Sequence, residues 1–455
     1  MSEADRMREK DLGSQPASRR DQPEPANRLL EIVRHNRGSV AEGIYSVCSA
    51  HPVVIEAACK LAAEHESLLC IESTSNQVNQ FGGYTGQTPQ QFAAAIGSAA
   101  GSAGLPPQSV VLGGDHLGPF PWRTESAESA MEKASALVRA SVLAGYRKIH
   151  LDTSMTCASD GDAPLSDRTV AERAAILCQA AERSSDELPK NFPRVFYVIG
   201  TEVPVPGGES LRGGPPIATT IDGVRNTLEA FRTAFAGRGL SAAWERVIGL
   251  VVQPGVEFGN EVIFDYDRRK ASALTANLPA HPELVYEAHS TDYQSPNALA
   301  EMVEDHFAIL KVGPWLTFAF REAVFALGAI ERQVLAGKKG SNVSRVPEAL
   351  DTAMLRDPSH WRSYYQGDED QLRFSRAYSY SDRCRYYWHQ ASVQEEIVRL
   401  MENLSVHSLP LTLLSQFMPM EYAAVRAGQL AIQPHAVIRY HIQNVLRIYA
   451  TACKS

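Results

Sequence analysis

The chain is 455 residues long, which by length alone suits roughly two or three domains, although a barrel often takes such a length in one piece. Its 44% apolar and 21% charged residues are ordinary for a soluble globular protein, and the formal net charge of -8 gives no reason to expect nucleic acid or an anionic membrane as partner. No apolar run approaches the roughly 20 residues that span a bilayer, and the N-terminus is charged rather than apolar, so a cytoplasmic protein is expected.

Residues 1–26 are rich in Arg, Asp, Glu, Gln, Ser and Pro without periodicity. Such a segment buries too little to order itself, and a disordered tail is expected. From Arg28, the residues Leu29, Leu30, Ile32 and Val33 predict a helix leading into the first strand. The body, 27–337, then alternates. Strand-like runs fall at Gly43–Ser49, Leu68–Ser73, Val110–Gly114, Lys148–Thr153, Val195–Thr201, Val247–Gln253, Leu284–Ala288 and Ala308–Val312. Helix-like segments such as Pro52–His65, Ala127–Ala144, Thr169–Arg183, Gly223–Phe235 and Pro296–His306 lie between them. Eight short strands separated by helical patterns predict an α/β fold, a (β/α)8 TIM barrel. An open Rossmann sheet is disfavoured because no G-x-G-x-x-G follows a strand.

Several helix starts carry capping chemistry. Ser166 and Asp167 precede the Thr169 segment, Asp222 precedes Gly223, and Pro296 follows Ser295. Residues 338–455 leave the alternation, and their aromatic and helical patterns, including Tyr378–Trp388 and Ile397–Leu404, predict an α-helical extension packed on the barrel. The seven cysteines show no paired C-x-x-C spacing, and Cys48, Cys70 and Cys178 sit among apolar neighbours. Buried free thiols are expected rather than a zinc ribbon or a disulfide framework.

The chemistry-bearing residues gather at the strand ends. The third run stops at Asp115 and His116, at the carboxyl end where parallel α/β folds keep their chemistry. The other ends deliver His51, Glu72, Asp152, Glu202, Gln253, Glu257, Glu287, His289, Asp292 and Lys311. Two histidines with carboxylates at one rim suit a divalent metal, since neutral imidazole and carboxylate together bind zinc, manganese and similar ions.

The segments Gly43-Ile-Tyr-Ser-Val-Cys-Ser-Ala-His51, Glu72-Ser-Thr-Ser-Asn-Gln-Val-Asn-Gln-Phe-Gly-Gly-Tyr-Thr-Gly86, Gly114-Asp-His-Leu-Gly-Pro119 and Ser381-Asp-Arg-Cys-Arg-Tyr-Tyr-Trp388 resemble the GatZ/KbaZ family. The resemblance covers nearly the whole chain after the tail. That family is similar to class II fructose- and tagatose-bisphosphate aldolases, which are metal-dependent (β/α)8 barrels. Its members are described as non-catalytic aldolase subunits and as 4-epimerases of ketoses or ketose phosphates. The resemblance implies that Asp115 works on protons, that His116 and His289 bind the metal, that Asp152 supports or joins the ligand set, and that Glu202 acts as a ligand or second carboxylate. One departure is that the aldolases place a metal-binding histidine at the sixth strand, where this chain has Gln253.

On that footing the polar loop from Asn76 to Gly86, with Gln77, Asn79 and Gln80, is expected to hydrogen-bond sugar hydroxyls beside Gln253, its glycines allowing close backbone approach. Arg383 and Arg385 offer forks that match phosphate oxygens, or structural carboxylates equally well. The expected activity is a metal-dependent inversion at C4 of a ketose phosphate, D-tagatose 6-phosphate to D-fructose 6-phosphate, by retro-aldol chemistry. The alternative is an accessory subunit of class II D-tagatose-1,6-bisphosphate aldolase, with a catalytic aldolase subunit as partner. Zinc is the favoured metal, ahead of manganese or nickel, and a homo-oligomer is expected.

Overall fold

The computed structural model describes residues 25–38, 40–203, 214–278, 281 and 283–454. Residues 1–24 of the expected tail lie outside the described residues, and Pro25 already opens the first helix, Pro25–Arg37. Eight strands close a parallel barrel: β1 Ile44–Val47, β2 Leu69–Thr74, β3 Val110–Leu117, β4 Lys148–Leu151, β5 Phe196–Ile199, β6 Val247–Val252, β9 Val285–Ala288 and β10 Ile309–Val312. A small antiparallel hairpin, β7 Glu257–Phe258 and β8 Ile263–Phe264, interrupts the connection from β6 to β9. Around the barrel the order is β1, β10, β9, β6, β5, β4, β3, β2, with β1 pairing both β2 and β10 to close it.

Helices cover the outside, so most strand residues are buried on both faces and the strands read as apolar runs. The polar exceptions fall at alternate positions, Lys148 and His150 on β4 and Glu287 two residues before His289, as a period of two requires for one shared face. At the N-terminal end of the strands, Leu29, Ile32 and Val33 of the first helix pack on Ile44, Leu68, Val111, Phe196, Ile248, Val285 and Ile309. That end is plugged with apolar side chains. The other end is the open mouth.

Helix starts follow their caps. Ser166 accepts from the Thr169 amide and Ser295 from the Ala298 amide with Pro296 at the first turn. The cap before Gly223 is Thr220 rather than Asp222: the helix begins earlier, at Ile221, and Asp222 lies inside its first turn. A reciprocal Thr88–Gln91 box starts the Pro89–Ala103 helix.

After the Pro314–Leu335 helix the chain adds helices at Val346–Arg356, Glu369–Tyr378, Ala391–His407, Leu411–Phe417, Pro419–Arg426 and Pro434–Cys453. The last is docked on the barrel: Gly43 donates to the Cys453 carbonyl, Gln443 to the Ala57 carbonyl, and Tyr449 to the Thr291 carbonyl. Tyr378–Trp388 is not a continuous helix. Tyr378 ends one helix, Asp382 takes a left-handed conformation at φ 46°, and only Arg383–Tyr386 coils, as a single tight turn. All seven cysteines are free thiols and all but Cys48 are buried. Among the described residues no helix is long and apolar enough to cross a membrane.

Candidate metal and acid-base site

β3 runs further than its apolar stretch, through Gly113 and Gly114 into Asp115, His116 and Leu117. Its register against β4 shifts between Gly114 and Leu117, and His116 sits at φ 47°, a left-handed backbone rare for a side chain of this size. This irregularity re-aims the imidazole inward, a local strain held by its surroundings. Gly118 completes the turn where no side chain fits, because a Cβ there would lie 1.6 Å from the Asp152 carbonyl oxygen.

Three imidazoles meet across the mouth. Ring centroids lie 4.8 Å apart for His116 and His289, 5.1 Å for His116 and His150, and 5.2 Å for His150 and His289. With Asp115 they form a buried group in which each residue offers one ligand atom, all within 4.8 Å of one another. Each ring is oriented by a partner. His116 Nδ1 lies 2.8 Å from Asp152 Oδ2, and His289 Nε2 lies 2.9 Å from Glu287 Oε1. That leaves the opposite nitrogen of each ring for another ligand, which is how carboxylates orient metal-binding histidines. His150 Nε2 is buried with no hydrogen-bond partner. An orphaned imidazole nitrogen beside two pre-oriented ones fits a metal ion, and the donor set of three nitrogens and a carboxylate suits a divalent one.

Beneath this group lies a buried ionic network. Lys148 Nζ is 2.8 Å from Glu72 Oε1 and 2.6 Å from Glu287 Oε2. Lys311 Nζ reaches Asp115 Oδ1 at 2.9 Å and also pairs with Glu72. Glu72, Glu287, Asp115 and Asp152 are four buried carboxylates against the two ammoniums of Lys148 and Lys311, an excess of two negative charges before the histidines are counted. A divalent cation would neutralise that excess.

The same electrostatics set the protonation states. Burial works against the Asp115 carboxylate, yet His116 and Lys311 hold its pKa well below the ordinary range. Burial likewise disfavours charge on His116, but Asp115 and Asp152 outweigh it and push the imidazole up. His289 goes the other way, pushed down to about 4 by burial, and is neutral at physiological pH. Asp292, at the end of the β9 side, is raised to about 6 by burial despite the Trp315 and Gly313 amides that bond it.

Above the group opens a cavity of about 420 Å³. Asp115, His116, His289, Asp292 and Lys311 line it from the barrel, Gln77 and Tyr84 from the loop after β2, and Arg385, Tyr386 and Trp388 from the extension.

The expected residues separate into those on the cavity and those off it. Asp115, His116, His289, Gln77 and Arg385 line it, and Asp152 stands directly behind His116. Glu202 is exposed, accepting from Thr219 Oγ1 at 2.6 Å, and Thr219 Oγ1 also takes the Gln253 amide. Neither Glu202 nor Gln253 is among the lining residues. Asn79 folds its own loop, donating to the Ser75 carbonyl and accepting from Phe81 and Gly83, while Gln80 donates to the Lys133 carbonyl. Arg383 is buried away from the cavity, donating to the His360 carbonyl. The sequence reading passed over His150. Its signal was the alternation Lys148, His150, Asp152, three residues on one face of β4 ending at the rim.

The chain matches the model of the family described as D-tagatose-1,6-bisphosphate aldolase subunit GatZ/KbaZ-like over residues 29–454. The chain belongs to the GatZ/KbaZ-like family. A solved structure of a probable tagatose 6 phosphate kinase from Sinorhizobium meliloti 1021 is 42% identical, with a TM-score of 0.82 over 90% of this chain and 100% of that one. A fructose-bisphosphate aldolase from Campylobacter jejuni is 14% identical over 84% of this chain and 93% of that one, at a TM-score of 0.42, too loose to bear on function.

Proposed function

We propose that this GatZ/KbaZ-like protein is a metal-dependent epimerase that interconverts D-tagatose 6-phosphate and D-fructose 6-phosphate at C4. The observation that carries the reading is the convergence of three imidazoles and an ionised Asp115, of which Asp115, His116 and His289 line a cavity of a size that suits a sugar phosphate while His150 is buried behind them. The name of the Sinorhizobium meliloti relative, which includes tagatose 6-phosphate, supports the choice of sugar.

The hydrogen on C4 of a 2-ketose is β to the carbonyl, so enolisation, which serves C1 and C3, cannot invert it. Transient oxidation would call for a nicotinamide, and the chain carries no dinucleotide fingerprint. Cleavage between C3 and C4 remains. A divalent ion, zinc by preference, would be held by His116, His150 and His289 and would serve as a Lewis acid toward the C2 carbonyl. Asp115 takes the C4 hydroxyl proton, and the C3–C4 electron pair moves into a C2–C3 double bond, leaving an enolate and an aldehyde at C4. After the aldehyde turns, C3 attacks its other face and the new C4 alkoxide is protonated. Asp152 and Glu287 keep the rings aimed, Lys311 holds one oxygen of Asp115, and Arg385 receives the phosphate.

Purified protein loaded with zinc, manganese or nickel should interconvert the two sugar phosphates, lose that activity on chelation, and recover it on reloading. His116→Ala together with His289→Ala should abolish both metal binding and turnover. Strict retention of all carbon with solvent hydrogen entering C4 would defeat the cleavage route. A protein without turnover that raises a catalytic aldolase's activity would instead be an accessory subunit.

A further inference from the structure

An epimerisation by cleavage and re-addition needs proton transfer at C4 on two sides. The aldehyde oxygen leaves from one wall and returns facing another, so one carboxylate fixed by ion pairs cannot serve both orientations. Asp115 is fixed in this way, with Oδ1 held by Lys311 and His150 and Oδ2 3.7 Å from His116 Nε2. The second group has to come from the far side of the cavity.

In the barrel order, β3 and β9 stand four strands apart in either direction, on diametrically opposite walls. Asp115 belongs to β3. Asp292 follows β9, is 3% exposed, and lines the same cavity. Its Oδ1 accepts from the Gly313 amide at 3.0 Å and the Trp315 amide at 2.8 Å, at the start of the Pro314–Leu335 helix. These backbone amides, with Asp292's own, fix the carboxyl group, and no ion pair among the described residues holds it. Glu202, the other carboxylate that could have shared the work, is off the cavity.

We infer that Asp292 is the second acid-base residue, carrying the C4 hydroxyl proton for the epimer whose hydroxyl faces the β9 side while Asp115 serves the other. The inference rests on the epimerase reading. In the direction that starts on the Asp115 side, Asp115 accepts the proton, the C3–C4 bond breaks and re-forms on the opposite face of C4, and Asp292 gives its proton to the new alkoxide. The protein then holds one proton on Asp115 and none on Asp292. Solvent exchange through the open mouth returns it to the starting state, with no oxidant or reductant. Burial supports this division of labour, since it raises the Asp292 carboxyl to about 6 and so favours its protonated, proton-giving form. The charged and titratable groups that act on Asp292 or feel its charge are Arg385, Tyr293 and Tyr449.

The test uses Asp292→Asn in the full-length, metal-loaded protein, because asparagine keeps the oxygen that accepts from Gly313 and Trp315 and loses only the acid. Each sugar phosphate is incubated separately with labelled glyceraldehyde 3-phosphate, and label entering the sugar reports cleavage and re-addition on one face. Epimerisation should fall by about 100-fold or more. Exchange into one epimer should persist near the wild-type rate while exchange into the other is lost, and Asp115→Asn should show the reverse pattern. Equal loss into both epimers, or no loss, overturns the assignment and leaves the epimerase reading standing. If wild-type protein neither epimerises nor exchanges, the epimerase reading fails and this inference fails with it.

Discussion

On the barrel side of the cavity the ionised groups below the rim lean on one another. Lys148 bridges Glu72 and Glu287, Lys311 bridges Glu72 and Asp115, and Asp152 and Glu287 each hold a histidine. On the extension side the arrangement differs. Arg385 donates to the carbonyls of Ser381 and Asp382 and to the Tyr386 hydroxyl, and Tyr386 stacks on His360 with centroids 4.6 Å apart. That wall is held by main chain and rings, with no carboxylate among the described residues in an ion pair with Arg385. A single substitution on the barrel side therefore strands a buried charge and is paid in stability. One on the extension side changes what the cavity can hold.

Lys148→Met tests the first half and should have the largest effect. It leaves Glu72 and Glu287 short of a partner inside a fully buried layer, with an expected loss of about 3–5 kcal/mol in urea unfolding. Adding Glu72→Gln should recover part of that loss, since the two residues share one interaction. A cost near zero would mean the barrel interior is wet enough to screen these charges.

Asp292 makes the boundary between the two sides measurable. Its carboxyl is raised from an ordinary 3.8 to about 6, so the folded state binds a proton more tightly than the unfolded chain. The stability it contributes is complete below pH 3.8 and is lost as pH rises through 6. Asp292→Asn removes this dependence. At neutral pH it should be more stable than wild type by up to about 3 kcal/mol, the gap closing toward pH 4. Thermal unfolding across that window checks it, and a gap that widens at low pH would reverse the sign.

The barrel was readable because each of its eight strands is a short apolar run between helical patterns, buried on one face by the outer helices and on the other by the barrel interior. Asp115, His116 and His289 were readable because they end such runs. His150 was missed for a related reason: it lies inside β4 rather than at its end, and only the two-residue alternation with Lys148 and Asp152 marks it as facing inward. Glu202 was placed at the rim by its strand, but a strand end fixes height along the barrel and not side-chain direction, and its carboxylate turned to Thr219. The hairpin β7–β8 is two residues per strand, too short to leave a periodic signal.

Arg385→Lys probes the extension side and should have the smallest effect of the three. Lysine carries the charge but lacks the fork, so it cannot keep the Ser381 and Asp382 carbonyls and the Tyr386 hydroxyl while also facing a phosphate. Losing one charge-assisted hydrogen bond of about 1.5–3 kcal/mol should raise KM for the sugar phosphate about 10- to 100-fold, with a smaller change in kcat. The unphosphorylated ketose provides the control. If Arg385 binds the phosphate, turnover of the free sugar should be nearly indifferent to the change; equal losses on both substrates would instead make Arg385 a structural tie that keeps the extension closed over the mouth.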